Sequence, residues 1–182
     1  MACLLYKSHQ LRQWDKTSLQ KIVFLLTKSY PNDLNRYNND FVPYDFGPYS
    51  EEVEEDVAWM QTIGVLDYQL KVREENNNLI TQIESLNPEI IDHVDEFMTG
   101  FIDLNRDELL YIVYNLYPTY ITSSKIVRKV NKLVKFESFK IPLSKLEETQ
   151  TLQIVSDKGN VVSVRLENGK LIVKDFEEGD IK

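Results

Sequence analysis

Leu19, Ile22, Val23, Leu26 and Tyr30 recur at i, i+3, i+4, i+7 and i+11, the spacing of one buried face of a helix. That helix is expected to start at Thr17 or Ser18 as its cap and to stop at Pro31. Upstream, residues 2–13 place Leu4, Leu5, Ser8 and Leu11 along one side of a shorter helix; downstream, the polar, Asn-rich run 32–40 reads as a surface loop. Ser50 is the expected N-cap of a helix from Glu51 to about Ile63. Val53, Val57 and Met60 face inward there, and Gly64 closes the helix. Two apolar runs, 65–72 and 79–83, then read as strands joined by a polar tip at 74–78. Helix, helix and hairpin in that order predict a winged-helix unit.

Asn87-Pro88 predicts another helix start, with proline at the first helical position and Ile90, Ile91, Val94, Phe97, Met98 and Phe101 as its apolar face. Asn105 with Glu108 has the form of a capping box opening a helix whose core side is Leu109, Leu110, Val113 and Leu116, stopped by Pro118. Ser123 or Ser124 caps a last helix with Ile126, Val127, Val130, Leu133 and Val134 inward. From Leu152 the period changes to two, with turn signals at Asp157-Lys-Gly-Asn160 and Asn168-Gly169. The expected fold class is therefore α+β: a mostly helical, winged-helix-like body over 1–139, a linker at 140–150, and a C-terminal antiparallel three-stranded β-meander over 151–182. Three short strands do not stand alone, so the meander is expected to dock on the body or on a partner.

Between the second and third helices lies Phe41-Val-Pro-Tyr-Asp-Phe-Gly-Pro-Tyr-Ser50, with four aromatics, two prolines and a glycine. It reads as a stiff connector poor in regular structure. One reading makes it an aromatic strap sealing the core between two helices. The other makes Tyr44, Phe46 and Tyr49 part of a contact surface, where tyrosine is favoured. The two readings are compatible if they apply to different rings.

Charge sharpens the picture. The 182-residue chain carries a formal net charge of −8, which argues against general affinity for nucleic acid or anionic membranes. The acidity concentrates in Glu51, Glu52, Glu54, Glu55 and Asp56, with no Lys or Arg between Tyr37 and Leu70. This is either a solvated face or a docking surface for a basic partner. In the orthodox winged-helix mode this helix would enter the major groove, where its carboxylates would meet phosphate. Lys125, Arg128, Lys129, Lys132 and Lys135 lie opposite in sign on the last helix, and residues 123–145 sum to +6 (seven Lys or Arg less Glu137). That stripe is a solvated face, a phosphate-contacting face, or a surface for an acidic protein. The last option includes the acidic helix of a second copy, so self-association through opposite patches is a further expectation.

Catalytic chemistry finds little support. The six glycines are read as turn or helix-end punctuation rather than a phosphate-cradling loop. His9 and His93 stand apart without metal-ligand spacing, and the single Cys3 reads as a small buried residue. No catalytic group, metal or cofactor is called for. A lone cysteine fits a reducing compartment, and no targeting run or membrane span is expected, so a cytoplasmic protein without a membrane partner is the expectation.

Three segments carry a resemblance: Leu19-Gln-Lys-Ile-Val-Phe-Leu-Leu26, then Phe46-Gly-Pro-Tyr-Ser-Glu-Glu-Val53, then Ile63-Gly-Val-Leu66. Together they resemble the Panacea (SocA-like) antitoxin domain family and its YwgA-like relatives. Residues 108–118 followed by Ser124-Lys-Ile126 look like a weaker continuation, so the likeness spans roughly Leu4 to Lys135, with the meander outside it. The resemblance implies a largely helical, winged-helix-like domain without enzymatic activity, acting as an antitoxin or adaptor through protein contact. The resulting expectation is a protein-interaction module using Tyr44, Phe46, Tyr49, Glu51, Glu52 and Glu55 against a basic or toxin-like protein. The alternative is a transcriptional regulator contacting nucleic acid through Lys125, Arg128, Lys129, Lys132 and Lys135.

Overall fold

The computed structural model describes residues 1–9, 14–32, 37, 40–101, 104–126, 151–155, 161–167 and 170–175, and the fold it gives is α+β. Helix α1 (Ala2–His9) precedes α2 (Lys16–Ser29), which runs through the centre of the molecule. The cap of α2 is Asp15 rather than Thr17 or Ser18: its carboxylate accepts from the Ser18 amide at 2.7 Å. A carboxylate gains from the helix dipole as well as the hydrogen bond, and Ser18 supplies the amide that needs satisfying. Burial of α2 extends well beyond the expected stripe, from Ser18 through Thr27 and again at Ser29. The helix packs on every side, against α5 (Pro88–Phe101), α6 (Arg106–Leu116) and strands of both sheets.

The connector 41–50 is not irregular. Val42–Tyr44 (β1) and Gly47–Tyr49 (β2) form an antiparallel hairpin in the register Val42↔Tyr49, Pro43↔Pro48, Tyr44↔Gly47. The prolines are compatible with pairing because they face one another. Having no N–H, they must occupy the non-hydrogen-bonded position of the ladder, where a missing donor costs nothing. Gly47 sits at φ 88°, and a Cβ there would lie 2.9 Å from Tyr114 Cε1. Glycine is thus required by both backbone and space.

Helix α3 (Glu51–Thr62) follows with the expected cap, the Ser50 hydroxyl accepting from the Val53 amide at 3.1 Å. Its end is a Schellman motif: the Gly64 amide donates to Gln61 O and the Val65 amide to Met60 O, with Gly64 at φ 79°. The predicted wing is overturned. Only the single bridge Leu66↔Val72 forms in the first run, which folds as a tight turn on Asp67, whose carboxylate accepts from the Gln69 and Lys71 amides. The second run lies in helix α4 (Asn77–Leu86). Ile80 is buried and Ile83 half-buried, a three-residue interval that one strand face does not give but one helix face does. Thr81 closes its hydroxyl onto Asn77 O, a local bond available only to helix.

Asn105 and Glu108 do form the capping box of α6, which ends before Pro118. Strands β3 (Thr151–Val155), β4 (Val161–Glu167) and β5 (Lys170–Asp175) make the antiparallel meander. β5 packs on α2 and α5, and Leu152, Val162, Val164 and Leu171 join the same apolar core as the helices. The two meander turns, the linker at 140–150 and the last helix beyond Ile126 lie outside the described residues. Among the described residues, no helix is long and apolar enough to cross a membrane.

Candidate protein-interaction surface

Pairing of β1 with β2 leaves the Pro48 carbonyl, and the backbone groups of Ser50 just past β2, pointing away from the hairpin, toward α2. Adjacent residues on α2 satisfy them. The Gln20 amide donates to Ser50 O at 2.9 Å and accepts from Ser50 N at 3.0 Å, as a neighbouring strand would. The Lys21 amine donates to Pro48 O at 2.7 Å. The Leu19-Gln20-Lys21 and Gly47-Pro48-Tyr49-Ser50 segments, read separately in the sequence, are therefore two halves of one staple.

Lys21 is 2% exposed, and its pKa is lowered to about 7, first by burial and then by the Arg106 charge, with Asp15 opposing. The amine lies buried beneath Pro48. It acts as a donor to backbone. Tyr114 closes the same region from α6, packed against Gly47, with its hydroxyl 2.6 Å from Ser124 Oγ. Ser124 Oγ and the Lys125 amide both donate to Asp45 O at the hairpin turn, and Lys125 Nζ pairs with the Asp45 carboxylate at 2.6 Å.

With β2 held inward, the hairpin divides its aromatics. Phe41 is buried edge-on to Phe24, at 5.1 Å between ring centroids, and seals the core. Tyr44 faces outward and lies 4.9 Å from the half-buried Tyr49 ring, while Phe46 is partly exposed beneath Arg106. Phe41 thus seals the core as a strap would, while Tyr44 and Phe46 are exposed.

The carboxylates of α3 divide likewise. Glu54 accepts from Lys16 at 3.1 Å and from the Tyr49 hydroxyl at 3.0 Å; the Lys16 bond, aided by Tyr49, holds its pKa below the usual carboxylate range. Burial first, then Glu54, pushes Tyr49 up to about 12. Asp56 accepts from Tyr37, and Asp40 takes the Ser50 hydroxyl and the Glu52 amide. Glu51 and Glu55 are exposed and Glu52 is half-buried. Tyr44, Phe46, Tyr49, Glu51, Glu52 and Glu55 therefore lie on one continuous hairpin–helix unit. Of the basic series, Lys125 is exposed and ion-paired to Asp45; Arg128, Lys129, Lys132 and Lys135 lie outside the described residues.

Sequence reasoning missed Gln20 and Lys21 as site-building residues, along with Trp59, Ile63 and Tyr68, which are large, apolar and exposed. The outward position of Trp59 follows from helical spacing, since 53, 57 and 60 face inward. A separate cleft of about 370 Å³ lies between α2, α5 and β5, where the Tyr30 hydroxyl donates to Glu96 at 2.7 Å. Among the described residues no group of three His, Cys, Asp or Glu side chains is placed to hold a metal. Comparison with protein-family models, with characterised proteins and with solved structures finds no match.

Proposed function

We propose that this chain is a non-enzymatic protein-interaction module of the cytoplasm, an adaptor or antitoxin-like regulator, that engages a basic protein partner through the β1–β2 hairpin and the first turns of α3. The observation that carries this reading is the Gln20–Lys21 staple. It fixes Pro48 and Ser50 from within, so that Tyr44, Phe46, Glu51 and Glu55 are held as one outward surface. A preorganised surface loses less conformational entropy on binding. The resemblance to Panacea-like antitoxin domains rests on the segments that form this staple, and it supports the same role. Occluding or delivering the partner is the mechanism.

The +6 charge of residues 123–145 favours the alternative, contact with nucleic-acid phosphate. Charge reversal separates the two. Partner enrichment from source cells is compared for the unaltered protein, for Glu51→Lys with Glu55→Lys, and for Lys129→Glu with Lys132→Glu. The proposal expects one protein retained by the unaltered chain and by the Lys129/Lys132 variant, and lost from the Glu51/Glu55 variant. Loss confined to the Lys129/Lys132 variant, with salt-steep binding to labelled duplex DNA, would replace it with the nucleic-acid reading.

A further inference from the structure

Glu51, Glu55 and Trp59 follow one another at intervals of four on α3 and so share one face. Ile63, the C-cap residue, continues that line. Trp59 is 62% exposed and Ile63 49%, although a large aromatic side chain ordinarily gains by burial. The turn that follows is fastened to the same end of the helix, Gln61 donating to Asp67 O at 3.0 Å, and it carries Tyr68 at 92% exposure. The apolar face of α3 is already occupied by Val53, Val57 and Met60, so these side chains are surplus to the core.

The surroundings say what kind of surface this is. Residues 38–69 contain no Lys or Arg, and Glu51 and Glu55 are exposed on this face; Lys16 reaches α3 only at Glu54, while Lys71 and Arg73, which follow in the sequence, are exposed. Exposed tryptophan and tyrosine side chains are where interface energy concentrates, and the exposed carboxylates on the same helix face favour a basic partner.

We infer that Trp59, Ile63 and Tyr68 form the apolar anchor of the docking face, and that the occupant is a basic amphipathic protein segment. Its leucine-like side chains cover the indole while its Lys and Arg residues meet Glu51 and Glu55. This inference rests on the protein-interaction reading above and names the chemistry of the partner.

The probe is a fluorescently labelled synthetic peptide with leucine and lysine at helical spacing, followed by anisotropy against the full chain. Binding is expected to weaken with salt, to fall at least about tenfold in Trp59→Ala, and to fall in Glu51→Lys with Glu55→Lys. A peptide with glutamate in place of lysine is expected not to bind. In Trp14→Phe, which leaves Trp59 as the sole tryptophan, the emission is expected to shift to the blue as the leucine–lysine peptide is added. Binding unchanged by Trp59→Ala but lost on charge reversal would overturn the anchor while leaving the acidic docking reading intact. Binding indifferent to both variants, or no binding at low salt, would overturn both. A concentration-dependent dimer in sedimentation, abolished by Trp59→Ala, would assign the patch to a second copy and overturn the basic-segment occupant.

Discussion

Replacing Lys21 with methionine keeps the aliphatic stem in its slot between α2 and β2 and removes the amine buried under Pro48. In the folded chain that amine has a pKa of about 7, against 10.5 for an ordinary lysine. Through the interval between those values the unfolded chain keeps its proton and the folded chain has released it. Stability therefore rises with pH across the interval, and the gain is lost as pH falls toward 7. From pH 7 to pH 9 the rise attributable to Lys21 is about 2 kcal/mol. Above pH 10 the trend reverses. Tyr49, Tyr111, Tyr114 and Tyr117 all have raised pKa values, chiefly through burial, and the stabilisation they give below their ordinary pKa is lost as they ionise. The assay is urea unfolding at pH 7, 8 and 9 for both proteins, read as midpoint at constant slope. Lys21→Met leaves Pro48 O without its donor, a cost of about 1–3 kcal/mol at every pH, so the discriminating quantity is the slope with pH. The parent should gain clearly more stability up to pH 9 than the variant, whose remaining rise comes from Lys28, an amine also lowered by burial. Parallel profiles would refute the buried, deprotonating Lys21.

Gly47→Ala should destabilise by about 2–4 kcal/mol, since it meets Tyr114 and holds a positive φ, whereas Gly64→Ala, with open space at its Cβ, should cost about 1–2 kcal/mol. Equal losses in chemical denaturation would remove the close-approach argument. Gln20→Leu strands both the amide and the carbonyl of Ser50 and should cost about 2–4 kcal/mol by the same assay; a neutral result would show the staple to be dispensable. Ser50→Ala should cost about 1–2 kcal/mol through loss of the α3 cap, measurable as a lower melting temperature.

Features fixed by a few neighbouring residues were legible in the sequence. Ser50 and Gly64 bound α3, Asn105 with Glu108 opens α6, and the period-two runs after Leu152 pair as a meander, because each depends on local hydrogen bonds or alternation. Short apolar runs were not: Leu79-Ile-Thr-Gln-Ile83 suits a strand as well as a helix, and only burial of both Ile80 and Ile83 decides it. The hairpin at 41–50 was hidden by its prolines, which are tolerated only because they oppose each other. Gln20 and Lys21 are polar residues within an otherwise apolar helical run. Their partners lie 30 and 27 residues away, and no local pattern announces a contact of that range.

The central claim is that the hairpin–α3 face meets a protein. A photo-crosslinking amino acid installed at exposed Glu55, with exposed Glu89 on α5 as the control position, tests it in the source cells. The account predicts a discrete polypeptide adduct at position 55 that is absent at position 89. No adduct at 55, or the same adducts at both positions, would contradict it.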